Sequence, residues 1–340
     1  MSNSTTNLTR RTMLGTLLAI PALLHGQLRS QAPSCESLDT AEARVRAALK
    51  DAKQTKLVLL GTGAGPLPGQ DRRMQSSVLL HNGVAYLVDC GLGVTDLYDR
   101  TGIPFSAVNS IFITHHHPDH NVEYGPFLII GWIHGLNQSV RAFGPPPLKQ
   151  MTEDYLRSMK VTIDFWAEDF KLTPFGMIAC TDLPKAGPVM QDKNVKVTSV
   201  LVRHPPVQPA YGYRFDFPDR SIVFSGDTVP LEAVADMARG ADVLVHEAMD
   251  VPATEAMVRQ QSTTQWHAVS FDTMMHHMRE DHSPVEEVGR IAQKAGVKTL
   301  VLSHLTPPAR GFVPPDKEWI QGASKYFKGR IIVGHDLMVI

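Results

Sequence analysis

Apolar residues along the chain fall into short runs that alternate with stretches of helical spacing. Residues 39–53 carry helix formers at that spacing and predict a short amphipathic lead-in helix. The run 56–60 predicts a strand and breaks into Gly61-Thr62-Gly63-Ala64-Gly65-Pro66. No Gly-Lys-Ser or Gly-Lys-Thr follows and no convincing helix opens, so phosphate-loop and Rossmann readings fail. The glycines are expected to let the backbone run close beneath a site. Runs 77–81 and 84–88 flank Asn82-Gly83, a type I′ hairpin signal, and end at Asp89-Cys90-Gly91. A helix-like stretch at 94–101 leads to the strand 110–113. Beyond it, 123–135 and 148–168 predict helices on either side of a strand at 139–143 and a Gly-Pro-Pro-Pro break.

The second half repeats the alternation. Residues 195–202 predict a strand, and 211–217 with 221–225 a hairpin through Pro218-Asp219-Arg220. A further strand at 242–245 is followed by 252–281, which has little periodicity and is expected to act as a lid. Ser283-Pro284-Val285-Glu286 reads as a capping box opening a helix over 284–295. A strand at 297–302 follows, and 330–333 with 337–340 is expected to close the chain as another hairpin.

Chemistry concentrates at the ends of these strands. His115, His204, Asp227, His246 and His304 are each expected at the C-terminal end of an apolar strand, where layered α/β proteins build their sites. A core histidine explains any one of these alone, but packing does not explain all of them together. The densest stretch is Thr114-His115-His116-His117-Pro118-Asp119-His120. Alternate residues of an extended segment share a side, so His115 and His117 can grip one ion. Pro118 then favours a turn that presents Asp119 and His120. Neutral imidazoles with a carboxylate suit zinc or another first-row divalent ion. A His-rich surface loop or a single structural zinc is the plainer alternative.

Composition narrows the class. The chain has 340 residues, 43% hydrophobic and 20% charged, enough for a sizeable globular core. A net charge of −1 argues against a nucleic-acid binder, which usually carries a basic stripe. Cys35, Cys90 and Cys180 allow at most one bridge, so a disulfide framework is not expected. At the N-terminus, Arg10-Arg11 precedes an apolar run over 13–24 and small polar residues around 27–34. This resembles a bacterial twin-arginine export signal, the alternative being a membrane anchor. The expected organisation is a signal over 1–32 with cleavage near Ala32, a linker and lead-in helix over 33–55, and a hydrolase domain over 56–340. Export by the twin-arginine machinery would place the mature protein in the periplasm, with no stable membrane insertion.

His115, His117, Asp119 and His120 complete the His-x-His-x-Asp-His signature of the metallo-β-lactamase superfamily, and His204, Asp227 and His304 match its later ligands in order. The resemblance implies an α/β fold, an αββα sandwich of two sheets flanked by helices, with two divalent ions, zinc foremost and manganese or iron as alternatives. It assigns His115, His117 and His204 to one ion, Asp119, His120 and His304 to the other, and Asp227 to both. Leu60–Gly65 with Ser76-Ser77, Arg203-His204 before Tyr211-Gly212-Tyr213-Arg214, residues 241–248 and His282-Ser283 resemble the ribonuclease Z and arylsulfatase branch. Met249 and Pro284 depart from that branch's threonines. The short stretch between His204 and Asp227 leaves no room for its tRNA-binding arm.

The implied activity is hydrolysis of a small sulfate or phosphodiester ester by a hydroxide that the two ions activate. Lactonase or β-lactamase chemistry, a ribonuclease Z-like endonuclease and a metal-binding protein without turnover are the alternatives. Nucleic acid is not expected as a partner; a homodimer is compatible. Asp119 would also orient the attacking water or take its proton, and His282 would stabilise developing charge or protonate the leaving oxygen. Glu247 or His246 would orient a ligand imidazole. Trp132, His134, Phe165, Trp166, Phe170 and Phe175 are candidates to wall an apolar pocket, although helix packing is the simpler role. His116, His267, His276, His277 and His335 are expected at the surface or in the lid.

Overall fold

The central strands read as continuous apolar runs because both faces of each sheet are covered there, while the strands Ile178–Asp182, Gly187–Gln191 and Lys196–His204 keep partly exposed positions. The computed structural model describes residues 37–50, 54–67, 70–136, 139–172, 178–264 and 269–340. Two seven-stranded sheets pack face to face. The first contains β1 (Lys56–Gly61), β2 (Ser76–His81), β3 (Val84–Val88), β4 (Val108–Phe112), β5 (Val140–Gly144) and β6 (Ile178–Asp182) side by side in chain order. The second contains β7 (Gly187–Gln191), β8 (Lys196–His204), β9 (Val207–Asp216), β10 (Ser221–Phe224), β11 (Val243–Met249), β12 (Thr299–Thr306) and β13 (Arg330–Val333). The chain then crosses back, and β14 (Met338–Val339) pairs antiparallel with β1 at the edge of the first sheet.

Period-two alternation divides each strand between two cores. Leu57 and Leu59 of β1 pack between the sheets with Phe112, Tyr213, Phe215 and Val301. Val58 and Leu60 point outward, against helices α1 (Leu38–Leu49), α2 (Val94–Arg100) and, beyond the short α3 (Pro118–Asn121), α4 (Tyr124–Ile133). Next in the chain are α5 (Leu148–Ser158) and α6 (Lys160–Asp169), then α7 (Glu232–Met237), α8 (Val251–Thr264), α9 (Phe271–Asp281), α10 (Val285–Ala295) and α11 (Asp316–Ser324). Helices α7, α10 and α11 cover the outer face of the second sheet, where Leu300 and Leu302 meet Val288, Ala292 and Trp319. This is the αββα sandwich expected from the motif resemblance.

Several local expectations are corrected. Residues 330–333 and 337–340 are not a hairpin: β13 pairs parallel with β12, while β14 joins the other sheet. The predicted helix 148–168 is interrupted at Met159, and α6 buries none of its residues. The described residues within 252–281 form the helices α8 and α9, whose mixed burial hides their periodicity. The capping box at 283–286 does not form: α10 starts after Pro284 as its N-cap, with no side-chain cap, and the Ser283 hydroxyl donates to the Thr228 carbonyl at 2.7 Å. His246 and His304 lie inside β11 and β12 rather than at their ends, since the pairing of the two strands continues to Met249 and Thr306. β6 and β7 are not among the predicted strands. Residues 1–36, which include the expected signal and Cys35, lie outside the described residues, as do His267 and Phe175.

Candidate metal centre

Each histidine of the dense stretch is placed by a different local device. After β4, the Ile113 carbonyl accepts the Tyr213 hydroxyl at 2.8 Å and the Thr114 carbonyl accepts the Tyr211 N–H at 2.9 Å. The loop is thereby tied to the opposite sheet. Pro118 occupies the first turn of α3, where its missing N–H costs nothing, and the turn presents Asp119 and His120. His204 is the last residue of β8, and Asp227 follows β10. His304 is the extra residue of a bulge: Glu247 and Ala248 of β11 face Ser303 and Leu305 of β12. Its left-handed φ of 47° turns the imidazole out of the ladder into the centre.

Four overlapping groups of donor atoms lie close enough to hold a cation: His115 with His117 and His204, Asp119 with His120, Asp227 and His304, and two that include His282, with His204 and Asp227 or with Glu247 and His304. The first two share no residue and make up the two donor groups of the centre. His117 Nδ1 lies 3.1 Å from His115 Nε2 and 3.0 Å from His204 Nε2. His304 Nε2 lies 3.2 Å from Asp119 Oδ2 and 3.1 Å from Asp227 Oδ2, and His120 Nε2 is 3.2 Å from the same Asp227 oxygen. Asp227 Oδ2 is also 3.8 Å from the Nε2 atoms of both His115 and His204, so it stands between the groups. Of these residues only His117 is more than marginally exposed.

The donor chemistry fits divalent cations. Burial holds His115 and His117 below the ordinary imidazole range and His204 down to about 3, leaving neutral rings with lone pairs aimed at a common point. In the second group burial would likewise lower His120, but Asp227, Asp89 and Asp119 raise it well above its ordinary value. Burial pushes Asp119 and Asp227 up, and the surrounding imidazoles outweigh it and hold both carboxyls below the usual range. A group so rich in buried carboxylate attracts positive charge, which is what a cation supplies. The His120 Nε2 atom, buried in that group, has no hydrogen-bond partner among the described residues.

Further groups fix the rings. His120 Nδ1–H donates to Asp89 Oδ2 at 2.9 Å, and Asp89 Oδ1 accepts the Thr114 N–H at 2.8 Å. His115 Nδ1–H donates to the Thr114 hydroxyl at 3.1 Å, which in turn bonds Asp89. One buried carboxylate therefore orients a ring in each donor group. Asp89 belongs to no motif, but it follows an apolar strand as the site residues do, and its φ of 60° marks it. His204 Nδ1–H donates to the Asp281 carbonyl at 3.0 Å. The Gly65 N–H donates to Asp119 Oδ2 at 2.8 Å, the close backbone approach expected of the glycine turn.

Glu247 takes the Thr228 N–H at 2.6 Å and His282 Nδ1–H at 2.9 Å. Burial opposes charge on His282, yet the Glu247 carboxylate raises it to about 9. Glu247 therefore orients His282 rather than a donor-group imidazole. His246 turns its Nδ1–H to the Glu247 carbonyl at 2.7 Å and burial lowers it to about 4. The cavity above the centre is walled by residues of α8 and α9. Trp132, His134, Phe165, Trp166 and Phe170 do not line it: Trp132 is buried, and Phe165 and Phe170 are exposed on the surface. His277 does line the cavity, His335 pairs with Asp316 at the surface, and His116 pins its loop through the Pro145 carbonyl.

Residues 85–305 match the family model described as the beta-lactamase superfamily domain. The chain belongs to the metallo-β-lactamase superfamily. Within this superfamily it is a hydrolase of the ribonuclease Z branch. Ribonuclease Z of Mycobacterium bovis is 32% identical over 288 residues, covering 83% of this chain and 96% of that protein. Ribonuclease Z of Mycobacterium avium is 30% identical over 291 residues, with the same coverage. Among solved structures, the short form of human tRNase Z aligns with a TM-score of 0.60 at 19% identity, covering 84% of this chain and 98% of that one. A metallo-β-lactamase fold protein of Bacillus subtilis aligns with a TM-score of 0.60 at 17% identity and the same coverage. These two proteins share the fold. The relatives named Ribonuclease Z weigh against the expectation that nucleic acid is no partner.

Proposed function

We propose that the chain is a dinuclear metal-dependent phosphodiesterase. The observation that carries this reading is the position of Asp227 Oδ2, within 3.2 Å of His120 and His304 and 3.8 Å of His115 and His204. A carboxylate shared between two donor groups suits two neighbouring cations. His115, His117 and His204 would hold one ion, Asp119, His120 and His304 the other, with Asp227 shared. Bound there, the ions would supply Lewis acidity towards the ester oxygens and the attacking water. Phosphorus is preferred to sulfur as the attacked centre because the 32% identical relative is a ribonuclease.

The residues divide the remaining work. Asp119, steadied by the Gly65 N–H, orients the water and takes its proton as the new O–P bond forms. His282, kept protonated by Glu247, turns Nε2–H toward the cavity and gives that proton to the leaving oxygen as its P–O bond breaks. The reading extends to export: a twin-arginine signal over 1–32 would place the reaction in the periplasm, which a reporter fusion tests.

The deciding assay sets bis-p-nitrophenyl phosphate, p-nitrophenyl sulfate and a lactone side by side with metal-loaded protein, with His282→Ala and Asp227→Ala as controls. Turnover of the phosphodiester, lost in Asp227→Ala, is expected. Turnover of the sulfate or the lactone without the phosphodiester overturns the reading. RNA is the second substrate reading, favoured by the relatives' name, and a labelled tRNA precursor belongs in the same assay.

A further inference from the structure

The cavity above the centre encloses about 980 Å³, including the space at its mouth. Its floor is polar, made by His117, Asp119, Asp227, His282 and His304. Its other walls are mainly hydrocarbon and thioether, from Met257 and Val258 of α8, Met274 and Met278 of α9, Leu67 and Pro308. Gln261, His277 and Thr306 are the polar exceptions. We propose that α8 and α9 form a specificity pocket that takes one apolar substituent, alkyl or aryl, of a small phosphodiester whose phosphorus sits on the polar floor. The inference rests on the phosphodiesterase reading and names its substrate class.

Three observations carry it. Met274 and Met278 are four residues apart, so they share one face of α9. Both are only half-buried and both face the cavity. Methionine adapts to irregular apolar shapes, which suits a hydrocarbon guest. Next, the wall is held by contacts of its own. Met257, Val258 and Met275 form a small core of their own, with Phe271, Met274, Ala309 and Phe312 packed against it. Arg279 of α9 pairs with Glu255 of α8, and Arg203 at the end of β8 pairs with Glu280 at 3.0 Å. Finally, no lysine or arginine lines the cavity among the described residues. A polynucleotide threaded there would bring further phosphates with no lysine or arginine to meet them. One anionic phosphorus with a hydrocarbon arm matches both floor and walls.

The test is binding before turnover. Methyl-, butyl- and octylphosphonate, whose P–C bonds are not hydrolysed, are titrated into the metal-loaded protein by calorimetry. Affinity is expected to tighten roughly fourfold per added methylene until the cavity is filled, with an increasingly negative heat-capacity change. The Met274→Gln/Met278→Gln double variant, matched in length but polar, is expected to flatten this dependence. Phe165→Gln, on the exposed α6, is expected to keep it. The same order should appear in kcat/KM for the p-nitrophenyl diesters carrying methyl, butyl and octyl groups.

Equal affinities along the series, or an unchanged slope in the double variant, overturn the pocket while leaving turnover of bis-p-nitrophenyl phosphate as support for the phosphodiesterase. A tRNA precursor cleaved more efficiently than every small diester overturns the substrate class. No turnover of any phosphodiester overturns the function itself, and the pocket's assignment with it.

Discussion

Asp89 touches no substrate, yet its replacement should be felt at both halves of the centre. The Asp89 carboxylate is buried, accepts His120 Nδ1–H at 2.9 Å, and holds Thr114, whose hydroxyl takes His115 Nδ1–H. Asp89→Asn keeps the shape but sets an amide donor against the His120 N–H. To escape that clash the ring moves its proton to Nε2, the atom that faces Asp119 and Asp227. The lone pair needed by an ion is then turned away. Loss of such an outer partner weakens metal binding about 10- to 100-fold, roughly 1.4–2.8 kcal/mol. The loss should fall mainly on the ion of the Asp119 group, because the substituted amide would still accept from Thr114 through its remaining oxygen. Competition against a chromophoric chelator, read with metal content per chain, measures this. A folded Asp89→Asn protein that binds both ions within about twofold of the parent would refute the orienting role.

Other perturbations follow from the same geometry. His282→Ala should lower turnover about 10²- to 10⁴-fold while metal content stays at the parental level, since the Glu247–His282 pair would donate a proton and bind no ion. Gly91→Ala would set a Cβ 2.2 Å from the Asp119 carbonyl oxygen and 2.7 Å from Met74 Cβ; metal affinity and melting temperature should both fall. The folded His246 pKa of about 4 lies below its unfolded value near 6.5, so the unfolded chain takes the proton first. Stability is then fully present above pH 6.5 and is lost as pH falls through 4. In chelator, His246→Leu should remove about 3 kcal/mol of that acid loss, read by urea melts at pH 7 and pH 4. Returning metal at 1,000 times its dissociation constant should stabilise the parent by about 4 kcal/mol per ion.

The elements most legible in the sequence were those that local chemistry specifies. The Asn82-Gly83 turn, the apolar runs of β1 to β4 and the His-x-His-x-Asp-His stretch each carry their own signal, and all of them are in place. What was hidden depends on long-range packing. Leu337–Ile340 looks like the return arm of a hairpin until β14 is seen to cap the other sheet, a choice made by β1 some 280 residues earlier. The helices α8 and α9 bury one side against a small cluster and expose the other to a cavity, so their polarity does not repeat cleanly. Ser283 spends its hydroxyl on Thr228, a partner 55 residues away that no capping rule could name. The donor groups were legible because their residue types are rarely buried together for packing alone. Asp89 was not, because its role lies wholly in what it orients.

The Asp281 carbonyl that steadies His204 is also the last turn of α9. Swinging that helix outward would therefore release a ring of the first donor group, and holding that ring would stiffen the helix. Were α9 to move in this way, metal occupancy and the position of the wall would be coupled, and thermodynamic reciprocity would make each strengthen the other by the same factor. A guest that fills the cavity should slow metal loss, and hydrogen exchange along α9 should slow when metal is added.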